Sequence, residues 1–122
     1  MGLDIRLYLL DTHTSEHVEY SRYRNFNALY GYFHRKCGID NLVKIYLNRD
    51  TIDELYLILN EIKYNSLKSD VLLPSFDGPL FGSLEYDKIY KNHVRQAASD
   101  FYHAKFLDYS RYRLYIIAHW HY

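Results

Sequence analysis

Leu3, Ile5, Leu7 and Leu9 alternate with Asp4, Arg6 and Tyr8 near the start of this chain. A period of two sends every second side chain to one face, which is the pattern of a strand buried on one side. The alternation returns at the other end, where Tyr112, Leu114, Ile116, Ala118 and Trp120 interleave with Arg113, Tyr115, Ile117 and His119. Between these ends the period changes. Phe26, Leu29, Tyr30, Phe33 and Cys37 make a helical stripe closed by Gly38, with Asn25 placed to cap it. Ile52, Leu55, Ile58, Leu59 and Ile62 make a second stripe behind Thr51-Ile-Asp-Glu54, which has capping-box form and predicts a helix over 51–64. Tyr86, Tyr90, Val94, Ala97, Phe101 and Ala104 make a third, with Ser83 as its expected cap. Residues 17–23 alternate loosely and 43–47 more clearly, so each predicts a further strand.

The resulting order, β(β)αβααβ, lacks the regular βαβ alternation of a doubly wound sheet. It predicts an α+β domain: a mainly antiparallel sheet of three to five strands with about three helices packed on it. The chain has 122 residues and no internal linker, so one domain over 1–122 is expected. Residues 65–83 carry both prolines and little regular pattern, and long irregular segments of this kind are often functional.

Charge excludes some roles. There are 15 Lys+Arg against 15 Asp+Glu. The balance argues against a polycationic nucleic-acid binder and against a polyanionic mimic. No basic region leads into an apolar core at the N-terminus, Arg6 spoils a myristoylation motif, and the apolar run 114–118 is far too short to span a bilayer. Cys37 is the single cysteine, read as a packed thiol rather than a nucleophile. A reducing cytoplasm without membrane attachment is the expected setting.

Tyrosine stands out, with 15 residues against 6 Phe and 1 Trp. A tyrosine buries a ring while keeping a hydroxyl for a partner, so the excess fits either a half-polar core or a recognition face. Tyr-Ser-Arg-Tyr-Arg occurs twice, at 20–24 and at 109–113. Interleaved rings and arginines hold single-stranded nucleic acids, and they are equally the material of protein–protein hot spots. Balanced charge favours the protein partner.

No Gly-x-Gly-x-x-Gly or nucleotide-binding P-loop is present, so no cofactor is expected. The seven histidines include the spaced pairs His13/His17, His93/His103 and His119/His121, but no His-Glu-x-x-His and no second cysteine, so no metal is expected either.

Three segments carry a resemblance: Met-Gly-Leu-Asp at 1–4, Tyr-Arg-Asn-Phe-Asn-Ala-Leu-Tyr-Gly-Tyr-Phe at 23–33, and Leu-Leu-Pro at 72–74 running to Phe-Gly-Ser-Leu-Glu-Tyr-Asp at 81–87. In that order they resemble a family of small phage and prophage-borne bacterial proteins. Arg24, Asn27, Phe33, Gly82, Ser83, Tyr86 and Asp87 match its pattern; Tyr23, Asn25, Tyr30 and Tyr32 depart from it. The resemblance implies a phage or mobile-element setting and no particular reaction.

These observations point to an accessory protein that binds a host protein, acting against a defence system or another host process, rather than to an enzyme. The expected contact surface combines Tyr20, Arg22, Tyr23, Arg24, Tyr109, Arg111, Tyr112 and Arg113 with Phe76, Leu80 and Phe81. The alternative is a pocket for a small ligand or nucleotide at Arg24, Asn27, Ser83, Tyr86 and Asp87. A homodimer through the edge of the C-terminal strand is a further expectation.

Overall fold

The strictest alternation in the sequence becomes the centre of the sheet. Strands β1 (Gly2–Asp11) and β4 (Tyr112–His121) pair antiparallel along their whole length, from Gly2 opposite the 121 backbone to Asp11 opposite Tyr112. The computed structural model describes residues 2–121, with backbone only at 121. Strand β2 (His17–Arg24) flanks β1, and the short β3 (Lys44–Tyr46) flanks β4, so the antiparallel sheet runs β2-β1-β4-β3. With helices α1 (Asn27–Cys37), α2 (Arg49–Tyr64), α3 (Ser69–Leu72) and α4 (Lys88–Ala104), this is the expected α+β architecture.

One face of the sheet makes the core. Leu3, Ile5 and Leu7 of β1 and Leu114, Ile116 and Ala118 of β4 join Phe26, Leu29, Phe33, Leu55, Leu59 and Phe101 from the helices and their approaches. Each such large apolar side chain stabilises the fold by roughly 1.5–3 kcal/mol when fully buried.

The loose alternation of 17–23 has a physical cause. Leu7 faces Ser21 and Tyr8 faces Glu19, so Tyr20 is the extra residue of a β-bulge.

The helix starts differ from expectation. Asn25 adopts a left-handed φ of 56° and spends its side chain on the N–H of Leu3, at 2.9 Å, so α1 begins without a side-chain cap. Asn48, not Thr51, caps α2 by accepting from the Thr51 N–H at 2.8 Å. Asp87, not Ser83, caps α4 by accepting from the Tyr90 N–H at 3.1 Å. The segment 65–83 holds a 3-10 turn (Ser66–Lys68) and the single-turn α3 before running irregularly to Asp87.

Strand β4 is not an edge. Beyond β3, the side chain of Asn41 bonds both backbone groups of Trp120, each at 2.9 Å. Leu42 donates to the carbonyl of Ala118 and Leu47 to that of Leu114. A dimer through the C-terminal strand edge therefore loses its physical basis, because the backbone groups it needs are already paired.

Candidate functional site

The residues that carry the family resemblance fasten one loop to the fold. Asn27, at the start of α1, is buried; its Nδ2 donates to the carbonyls of Phe81 (3.2 Å) and Ser83 (2.9 Å), and its Oδ1 accepts from the Phe76 N–H (3.0 Å). Tyr86 accepts at its hydroxyl from the Ser75 N–H, and Tyr90 donates its hydroxyl to the carbonyl of Leu73. Gly2 and Gly82 close on Asn25 from two sides. A Cβ at Gly2 would stand 2.7 Å from Asn25 Oδ1, one at Gly82 would stand 2.9 Å from Asn25 Cβ, and both glycines have positive φ.

This lacing weakens the small-ligand pocket. A cleft of about 180 Å³ does lie among Arg24, Asn27, Ser83, Asp87 and His93, below the roughly 300 Å³ at which ligand pockets begin. Asn27 and Asp87 already use their polar groups on backbone, Ser83 Oγ accepts from the Glu85 N–H, and Arg24 lies 2.9 Å from Asp4. Tyr86 does not line the cleft.

The repeated pentapeptide also serves the fold. Both leading tyrosines bond α4: Tyr20 of β2 donates to the carbonyl of Asp100 and ties the helix to the sheet, and Tyr109 donates to that of Ala104 and folds the connection back onto the helix end. Ser21 and Tyr23 both donate to the Asp100 carboxylate. Tyr23 is only 1% exposed, and burial together with Asp100 pushes its phenol far above the ordinary range. Burial and Asp100 hold the Tyr20 phenol at about 12. The two copies sit on β2 and on the approach to β4, with β1 between them, so they do not pair as neighbours.

Tyr23 therefore leaves the expected contact surface. Phe81 leaves it too, since it is 2% exposed and packs against Tyr30, Phe76 and Trp120. Phe76 is half-buried against Tyr30 and His34, and Tyr112 is half-buried with the Arg111 guanidinium over its ring. Leu80 is exposed at the tip of the loop.

Arg111 is an anchor rather than a free contact. Its guanidinium reaches both carboxylate oxygens of Asp11, the nearest contact at 2.8 Å, and its carbonyl accepts from the N–H and hydroxyl of Thr12. The arginine holds the Asp11 carboxyl at about 2 instead of 3.8. A depressed carboxylate stabilises the folded state above its unfolded pKa and loses that contribution as pH falls through the folded value. Acidification from about pH 5 to about pH 2 is therefore expected to lower the urea midpoint more in the wild type than in Arg111→Leu. Equal losses in the two proteins would show that this pair is not what acid breaks.

The opposite face of the sheet gathers what the sequence scattered. Arg22 and Arg24 of β2, Arg6 and Tyr8 of β1, Arg113, Tyr115, Ile117 and His119 of β4, and Lys44 and Tyr46 of β3 occupy its alternate positions. None of these side chains belongs to the hydrophobic core on the helix side. Tyr115 is the hub, 5% exposed. Tyr8 stacks on it with centroids 5.3 Å apart, Tyr46 and His17 meet it edgewise at 5.4 Å and 5.7 Å, and Lys44 Nζ stands 4.6 Å above it. His17 Nδ1 and the Tyr115 hydroxyl are 2.9 Å apart. Arg113 lies over the Tyr46 ring at 4.1 Å.

Five cations on this face (Arg6, Arg22, Arg24, Lys44 and Arg113) meet two carboxylates (Asp4 and Glu19), so a chain of zero net charge turns a basic face outward. Glu19 lies 3.3 Å from Arg22 and 4.0 Å from Arg6. Partial burial pushes the Asp4 carboxyl up, but Arg24, Arg6 and Arg22 outweigh it and its pKa falls below the ordinary value.

Of the contact residues expected from sequence, Arg22, Arg24 and Arg113 are brought together here. Arg6, Tyr8, Lys44, Tyr46, Tyr115 and Ile117 were missed. The signal was available: the alternation that sends Leu3, Ile5 and Leu7 inward sends Asp4, Arg6 and Tyr8 to one outer face.

His93 stacks on Phe26 at 4.7 Å and burial lowers its pKa, while His103 Nδ1 meets the carbonyl of Ser99 in its own helix. His13 lies in the β1–β2 turn, where its N–H donates to Asp11. The His119/His121 pair falls partly outside the described residues, since nothing is described of the second side chain. Among the described residues no group of three or more His, Cys, Asp or Glu side chains is placed to hold a metal ion. Burial raises the Cys37 thiol pKa, which lowers its thiolate fraction. No described helix is long and apolar enough to cross a membrane. Comparison with family models, with curated proteins and with solved structures finds no match.

Proposed function

We propose that this protein is a binding module whose basic, tyrosine-bearing sheet face docks on another protein. On this reading it is a phage- or prophage-type accessory protein that engages a host protein in the bacterial cytoplasm and inhibits a defence or another host process. The observation that carries the binding role is the face itself: rings and arginines on four adjacent strands, turned away from the helices that form the core. Aromatic residues and arginine are the side chains most enriched at protein interfaces and their hot spots.

The arrangement of those side chains favours protein over nucleic acid. Base stacking needs open ring faces, yet Tyr115 is stacked by Tyr8 and capped by Lys44, and Tyr46 is capped by Arg113. Phosphate binding is strongest at uncompensated cations, and three of the five on this face meet a carboxylate: Arg24 lies against Asp4, and Arg22 and Arg6 lie against Glu19.

The test is a tagged pull-down from bacterial lysate read by mass spectrometry, with Arg22→Glu/Arg113→Glu as control. One host protein retained by the wild type and lost from a folded double variant is the expected result. A partner retained equally by both would move the contact surface off the sheet.

A further inference from the structure

We infer that the concavity on the open sheet face receives an apolar side chain carried on an acidic segment of the protein partner. The inference rests on the reading of the sheet face as the docking surface and names what that face selects. The concavity measures about 330 Å³, with Ile117 between the rings of Tyr8 and Tyr115 on one side and Leu42 on the other. Arg6, Lys44 and His119 stand around it, and its one carboxylate, Asp4, lies against Arg24. An apolar lining bracketed by cations is complementary to an apolar group flanked by carboxylates. One carboxylate would draw Lys44 from its contact over the Tyr115 ring into a charge-assisted hydrogen bond, and another would meet Arg6.

Leu42 adds an independent mark. It is 60% exposed and holds a φ of 61°, fixed by its N–H bond to Ala118 at 2.7 Å. A left-handed backbone disfavours a branched apolar residue, and asparagine or glycine would relieve it. Exposure and strain together argue against a purely structural role for this leucine, and its position on the wall of the concavity gives it a use in contact.

The experiment is selection of a random dodecapeptide library, displayed on yeast, against the intact protein. Selected peptides are then titrated by fluorescence anisotropy against four proteins: wild type, Arg6→Glu/Lys44→Glu, Leu42→Asn and Arg22→Glu/Arg113→Glu. The expected peptides carry Asp or Glu on both sides of Phe, Leu, Ile or Trp. Their affinity falls at least tenfold in Arg6→Glu/Lys44→Glu and about threefold in Leu42→Asn, whose melting temperature does not fall. Arg6→Gln/Lys44→Gln replaces the charge reversal should that variant fail to fold. Peptides lacking acids, affinity unchanged in the Arg6/Lys44 variants, or an empty selection overturns the inference. Affinity kept in the Arg6/Lys44 variants but lost in Arg22→Glu/Arg113→Glu overturns the concavity and leaves the sheet face standing. Affinity kept in every variant overturns both. A fifteen-residue thymidine oligonucleotide that binds more tightly than the peptides, and is lost in Arg6→Glu/Lys44→Glu, overturns both in favour of nucleic acid.

Discussion

Asn27→Ala is expected to cost about 3 kcal/mol of stability and to lower the melting temperature by roughly 10 °C. Three hydrogen bonds disappear together, and the Phe76 N–H and the carbonyls of Phe81 and Ser83 lose their side-chain partner in one step. A buried group left unpaired costs about 1–3 kcal/mol, more than the net gain from an average hydrogen bond. The effect should also be local before it is global. With its lacing cut, the segment from Leu73 to Asp87 is expected to be cleaved by protease under conditions where the sheet survives. Tyr86→Phe is the comparison: it removes one bond, to the Ser75 N–H, and should cost about 1 kcal/mol. Melting curves and limited proteolysis on the three proteins check both numbers. If Asn27→Ala melted within a degree or two of the wild type, the loop would be held by its ring packing instead. That packing joins Phe76 and Phe81 to Tyr30.

How far the sequence carries follows from these residues. Strict alternation at 3–9 and 112–120 was enough to predict two one-sided strands, and three helical stripes were enough to predict α1, α2 and α4. Strand order was not legible, because pairing depends on which edges remain open after the helices have packed, and no local pattern records that. Helix starts depart from the local pattern where a side chain has a better acceptor or donor elsewhere. Asn25 serves Leu3 instead of α1, and Ser83 Oγ serves Glu85 while Asp87 caps α4. Arg24, Asn27, Ser83, Tyr86 and Asp87 cluster near two helix starts, which suggests a pocket as the alternative; in space Asn27 and Tyr86 spend their polar groups on closing a loop. The docking face was within reach of the same period-two argument that found the core. Grouping Tyr20, Arg22, Tyr23 and Arg24 as one run hid it, since a strand sends Arg22 and Arg24 outward and Tyr23 in.

Asp100→Ala is the second large effect, and it is best read as a cycle with Tyr23→Phe. Asp100 takes hydrogen bonds from Tyr23 and Ser21 on its carboxylate, joining the C-terminal half of α4 to β2. Removing the carboxylate strands the Tyr23 hydroxyl, which is nearly sealed from water, so Asp100→Ala is expected to cost about 3 kcal/mol despite alanine's better helix propensity. Tyr23→Phe removes a donor and leaves a half-exposed carboxylate that still has Ser21, so it should cost only about 1 kcal/mol. The double variant leaves neither group stranded and is expected to be more stable than Asp100→Ala alone by about 1 kcal/mol. Urea denaturation of the four proteins gives the coupling directly. Additive losses would mean that water already reaches the Tyr23 hydroxyl. The attachment of α4 to the sheet would then rest on its buried apolar face, on the Tyr20 hydroxyl and on Gln96, which donates to the Ser21 hydroxyl and the Arg22 carbonyl.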